Sequence, residues 1–201
     1  MKKNLHKLDM AVGTWLARKL NLPMPSVVGG APLNVYTTLE ARHFEAIDPS
    51  LGVEFLKAHP CTTHPEYWRE KVKSRRLVKN KCITTAYVTY LALMHQTDAT
   101  GIGDFKYHDS GIGTGDEAVG DTGLGTPWGG ARDTGTQVAS TNTYTSVATT
   151  TYNATKAITE HGLFNASSEG TLMDRTKFAA INVVDTNQIQ WTFTVTFTAG
   201  G

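Results

Sequence analysis

Three kinds of chemistry are conceivable from the reactive side chains of this sequence. Acyl transfer needs a nucleophile, a base and a group that orients the base. His108, Asp109 and Ser110 are consecutive, and Glu160 and His161 lie in the run KAITEHGLFNASSEGTLMDRTKFAAINV, residues 156–183, which also holds Asp174 and Arg175. No Gly-x-Ser-x-Gly elbow accompanies them. As neighbours in a strand, Glu160 and His161 point to opposite faces and cannot share a proton. Zinc would need nitrogen and sulfur ligands at a recognisable spacing. His59, Cys61 and His64, with Cys82 beyond, offer the atoms, but the spacing around Pro60 and Pro65 matches no finger pattern. Phosphate binding would use the run GIGTG at residues 111–115, yet the third glycine of a dinucleotide fingerprint is replaced by Asp116 and no Gly-Lys-Ser/Thr follows. Glu117 and Asp121 add negative charge that repels phosphate. The expectation is no catalytic residue, no metal site and no cofactor, with His161-Gly162 on a strand and Asp174-Arg175 in a turn.

A cationic run, Lys71, Lys73, Arg75, Arg76, Lys79 and Lys81, follows Tyr67 and Trp68. Cations beside aromatic rings suit nucleic acid, a solvated face, or an acidic protein partner. Charge along the chain favours the last. Up to Cys82, 14 Lys/Arg against 7 Asp/Glu give +7, and beyond it 5 against 11 give −6, for a net charge of +1. A sequence pI of about 7.8 is unlike that of a nucleic-acid-binding domain. These six residues are therefore the predicted partner contact.

The elements that would position these groups can be read from periodicity. The chain of 201 residues is 40% hydrophobic and only 18% charged, enough for a buried core and too apolar for wholesale disorder. Leu5, Leu8, Val12, Trp15, Leu16 and Leu20 recur at helical spacing, and Pro23 and Pro25 end that helix. Residues 23–66 are broken by Pro and Gly and show no sustained period, which predicts an irregular arm lying on another subunit. Ile83, Ala86, Tyr87, Tyr90, Leu91 and Met94 predict a second helix starting near Asn80. A glycine-rich stretch of loops follows.

In IQWTFTVTFT, residues 189–198, apolar and polar residues alternate strictly, the mark of a strand with one buried face. YTSVATTTYN and KFAAINVV read as its companions. The predicted fold is α+β, mainly β: an N-terminal helix and extended arm over 1–66, then a middle helix and a C-terminal antiparallel β-sandwich or jelly-roll-like domain over 67–201. No export signal or membrane span is predicted, and the two cysteines imply no disulfide framework.

The ordered set RRLVKNKCITTAYVTYLALMHQT, DFKYHDSGIGTGDEAVGDTGLGT, RDTGTQ, the run YTSVATTTYNATKAITEHGLFNASSEGTLMDRTKFAAINV and a terminal IQWTFTVTFTAGG resembles a group of structural proteins of tailed bacteriophages, over roughly residues 67–201. The resemblance implies a non-enzymatic virion component, assembled in the host cytoplasm and present in many copies. A capsid decoration or cement protein on the major capsid shell is expected, with a tail or collar component as the alternative within the same class. Self-association follows from the uncharged edge that the closing strand would present, and the resemblance to shell proteins, which often sit on three-fold positions, implies a trimer. From a different class, a carbohydrate- or host-surface-binding module is suggested by the rings of Trp128, Tyr144 and Tyr152.

Overall fold

The structure is a computed structural model that describes residues 34–71, 76–79, 82–94 and 105–198. The helix expected over residues 4–20 lies outside them. Eleven described strands follow one another as β1 (Asn34–Ala46), β2 (Trp68–Glu70), β3 (Arg76–Lys79), β4 (Cys82–Ile83), β5 (Tyr107–Gly111), β6 (Asp133–Thr134), β7 (Thr136–Ser140), β8 (Thr143–Thr151), β9 (Lys156–Phe164), β10 (Leu172–Val183) and β11 (Gln188–Thr198). Two α-helices, α1 (Val53–Ala58) and α2 (Thr85–Met94), interrupt the series. No helix among the described residues is long and apolar enough to cross a membrane.

The strands form two antiparallel sheets. A six-stranded sheet runs β2-β1-β11-β8-β7 with β3 also paired to β1, and a five-stranded sheet runs β4-β10-β9-β5-β6. Alternation in β11 behaves as expected: Ile189, Trp191, Phe193 and Val195 are fully buried, and the intervening Gln190 and threonines are half-buried. These side chains share a core with Ile158, Leu163, Ile181 and Val183 of the second sheet, which Tyr152 and Trp128 also join. The chain leaves the first sheet after β8, forms the β9–β10 pair in the second, and returns as β11 beside β8. Both crossings are at one corner, where the Tyr152 amide donates to the Asn187 carbonyl at 2.9 Å and the Thr186 amide to the Tyr152 carbonyl at 2.8 Å. The result is the mainly β sandwich that the sequence predicts.

Helix α2 begins at Thr85 rather than near Asn80, because Cys82 and Ile83 pair with Arg175 and Asp174 of β10. The Thr84 hydroxyl caps it, accepting from the Tyr87 amide at 3.2 Å. Tyr87 and Tyr90 then set their rings edge-on to Phe105, with centroids 5.0 and 5.6 Å away.

Three expectations need correction. From Asn34 onward, the segment expected to be an irregular arm is part of the sandwich: β1 pairs with β11 from Asn34↔Thr198 to Phe44↔Gln188. Residues 47–67 then fold back over the chain's own strands, held where Gln188 accepts from the Cys61 amide at 2.8 Å and donates to the Leu56 carbonyl at 3.1 Å. Architecture therefore does not change at residue 66. Next, Asp174 and Arg175 are buried within β10 rather than set in a turn. Finally, β11 is an interior strand flanked by β1 and β8, so the open edge expected at the closing strand does not exist.

Candidate functional site

Glu160 of β9 and Arg175 of β10 share the outward face of the five-stranded sheet, since Arg175 is in register with Gly162, two residues from Glu160. The glycine-rich loop from Gly111 to Thr126 closes over them. One Glu160 carboxylate oxygen accepts from the Gly113 amide at 2.9 Å and the Thr126 amide at 2.8 Å. The other accepts from the Gly125 amide at 3.1 Å and from Arg175 Nε at 2.7 Å. Arg175 continues outward, donating to Asp121 at 2.8 Å and to the carbonyls of Asp116 and Gly115 at 3.1 and 3.0 Å. Burial by itself pushes the Glu160 carboxyl up, but the Thr126 and Gly125 amides and the guanidinium outweigh it and hold the group below the usual carboxylate range.

This arrangement accounts for Gly111, Gly113 and Gly125. A Cβ on Gly113 would lie 2.3 Å from the Glu160 carboxylate, and one on Gly125 would lie 2.7 Å from an Arg175 nitrogen. The loop does cradle an anion with backbone amides, as phosphate loops do. Its anion is the chain's own carboxylate.

Between the sheets lies a second polar group. His108 Nε2 is 2.8 Å from Ser146 Oγ, and His108 Nδ1 is 3.0 Å from His161 Nε2. His161 in turn packs on the Trp191 ring, centroids 4.7 Å apart. The hydrogen-bond order is that of nucleophile, base and orienter. All three residues nevertheless have 0% of their surface exposed, so no substrate carbonyl reaches the hydroxyl. Burial drives the His108 pKa down to about 3 and that of His161 well below the ordinary range. Both rings are neutral. Gly135, where the chain passes from β6 to β7, admits this group: a Cβ there would be 2.6 Å from Ser146 Oγ.

The remaining acyl-transfer candidates are also engaged internally. The Ser110 hydroxyl pairs with Tyr152 OH at 2.9 Å. Asp109 faces Arg132 at 3.5 Å, and that guanidinium lies 3.4 Å over the Phe164 ring while donating to the Ala166 and Glu169 carbonyls. Asp133 is pushed up to about 6 by burial, against a hydrogen bond from Thr150 that acts to lower it. Glu160 and His161 do face opposite ways, one to the loop and the other to the core.

Of the zinc candidates only His59 and His64 come near each other, with ring centroids 4.8 Å apart. His59 Nδ1 contacts the Phe55 carbonyl at 2.8 Å, His64 contacts Glu66 at 3.1 Å, and buried Cys61 has its thiol pushed up to about 12 by burial. Among the described residues no three metal-ligating groups come together. Of the cationic run, Lys71 pairs with Glu45, and Arg76 and Lys79 lie in β3, in register with Ala41 and Thr38. Lys73, Arg75 and Lys81 lie outside the described residues. Trp128 and Tyr152 are core residues, at 8% and 0% exposure, and offer no stacking face to a sugar. Tyr144 is half-buried, its hydroxyl directed to the Phe105 carbonyl.

Sequence reasoning missed the Glu160–Arg175 cross-link and the inter-sheet histidines. One signal was present: Glu160 is a charged residue inside a segment that reads as strand, and a charge buried there requires a partner. No protein-family model, curated protein or solved structure matches the chain.

Proposed function

We propose that the chain is a non-enzymatic structural protein of a tailed-bacteriophage virion, a capsid decoration or cement protein that binds the major capsid shell. The resemblance of residues 67–201 to phage structural proteins supplies the identity of the class. The observation that carries the non-enzymatic part is the direction of the polar groups. Glu160, Arg175, His108, His161, Ser110 and Ser146 are all consumed in cross-links between strands and loops of the same body. Such groups rigidify a sandwich and fix one arrangement of its loops.

The cationic segment, residues 71–81, is the proposed contact with an acidic surface of the shell. Mass spectrometry of purified virions tests the reading. Recovery of this chain in many copies per particle is expected, and its absence from intact virions refutes the proposal.

A glycan-binding module is the second reading, and it rests on Phe55 and its ring neighbours rather than on Trp128, Tyr144 and Tyr152. Exposed Phe55 stacks on His59 with centroids 4.1 Å apart, and Tyr67 and His64 flank them at 5.5 and 4.8 Å from His59. Loss of glycan retention on Phe55→Ala would favour this reading over shell binding.

A further inference from the structure

The two sheets have four edges, and they are not alike. At one end of the six-stranded sheet, the outer side of β1 is covered by β2 over Phe44–Ala46 and by β3 over Thr38–Ala41. Both covering strands carry charge, as Arg69 and Glu70 in β2 and as Arg76 and Lys79 in β3. The five-stranded sheet ends in the two-residue strands β4 and β6. Short or charged edges deter pairing with another chain.

The fourth edge is β7. Its five residues, Thr-Gln-Val-Ala-Ser, are all exposed, and Val138 keeps 64% of its surface in solvent. The strand contains no charge, no proline and no glycine. Its polar side chains turn back toward β8: Gln137 donates to Tyr144 OH at 2.7 Å, and Thr136 to the Val147 carbonyl at 3.4 Å. They leave the far side of the strand uncovered. In an antiparallel ladder alternate residues direct N–H and C=O away from the existing partner. Along β7 these groups find no partner among the described residues.

We propose that β7 is an interface between copies of this chain, in which two β7 strands pair antiparallel about a two-fold axis and join two six-stranded sheets into one. An open backbone edge, unlike an apolar patch, specifies an extended strand as its occupant. Among the described edges of this protein only β7 is both uncharged and longer than two residues, so its match within the same protein is β7 itself. An isologous contact follows. No like charges oppose each other in any antiparallel register, and the net charge of +1 adds little long-range repulsion. Five residues bury far less than the roughly 1,200 Å² of a stable interface. Association in free solution is therefore weak, and it strengthens where copies are held side by side at high effective concentration.

Sedimentation velocity on the full chain over a concentration series from about 10 to 500 μM, with hydrogen exchange at the extremes, tests this; the range brackets the weak affinity expected of a small interface. A monomer–dimer shift with rising concentration is expected, with amides of residues 136–140 gaining protection in step. Val138→Lys places like charges on the two strands near the axis and should weaken association at least about tenfold. The variant's thermal midpoint should match that of the parent, because Val138 is outside the core. A parent chain that stays monomeric at 500 μM overturns the proposal, as does a dimer unaffected by Val138→Lys. Dimerisation without protection of residues 136–140 overturns it equally, by assigning the contact elsewhere. None of these outcomes depends on whether the chain is found in a virion.

Discussion

Acidification should weaken this fold through its buried histidines, and the size of the effect can be worked out. His108 and His161 are fully buried, and each is neutral in the folded state because burial depresses its pKa. Once unfolded, both return to the ordinary value of 6.5. Below that pH the unfolded chain binds protons that the folded chain refuses, so stability is full above about pH 6.5 and falls as pH drops toward the folded pKa. From pH 7 to pH 5 each ring costs about 2 kcal/mol, or about 4 kcal/mol for the pair. Asp133 acts the other way. With its folded pKa raised to about 6, it takes up a proton more readily folded than unfolded over this range and returns about 1 kcal/mol. A net loss of about 3 kcal/mol is expected, a large part of a typical domain's stability. Urea unfolding followed by Trp fluorescence at pH 7 and pH 5 measures it. Equal or greater stability at pH 5 would refute the neutral buried pair.

The remaining expectations concern the loop, the first strand and the thiols. Glu160→Gln should destabilise by about 3–5 kcal/mol in urea unfolding, because it leaves Arg175 as a buried cation with less compensation; a loss under 1 kcal/mol would contradict the cross-link. Gly113→Ala should cost about 1–3 kcal/mol by the same assay, since the added Cβ meets both the Glu160 carboxylate and, at 3.0 Å, the Thr126 amide. A chain begun at residue 67 lacks β1 and should be unfolded by circular dichroism and amide exchange, whereas a folded fragment would restore the arm reading. Cys61, buried and with its thiol pushed up to about 12, should react with a thiol reagent far more slowly than half-buried Cys82, and a chelator should leave the melting temperature unchanged.

Legibility in the sequence followed the strength of the local period. Strand β11 was plain because Ile, Trp, Phe and Val alternate with Gln and Thr without a fault. Strand β1 was missed for the opposite reason. Its buried parity is Thr37, Leu39, Ala41 and His43, a set in which one large aliphatic residue is diluted by a hydroxyl, a methyl and an imidazole. His43 is accommodated there because it meets Asn187 Oδ1 at 2.7 Å, a residue 144 positions away. Asp174 and Arg175 read as a turn pair by composition, yet they are placed inside β10 by partners in the glycine loop and in β4. Charged residues look like surface until a distant counter-charge is known. The glycine-rich segment was legible as loops, but that Gly113 and Gly125 there approach the chain's own Glu160 and Arg175 depends on pairing between strands that periodicity does not encode.

The proposed role as a shell-binding virion protein is tested most directly by cryo-electron microscopy of intact virus particles recovered from the source of the gene. Density fitting the two-sheet sandwich is expected in regular array on the outside of the head, with the segment around residues 71–81 against the major capsid protein. The sandwich found at the tail or collar would contradict the decoration role, and particles complete without it would contradict a virion role altogether.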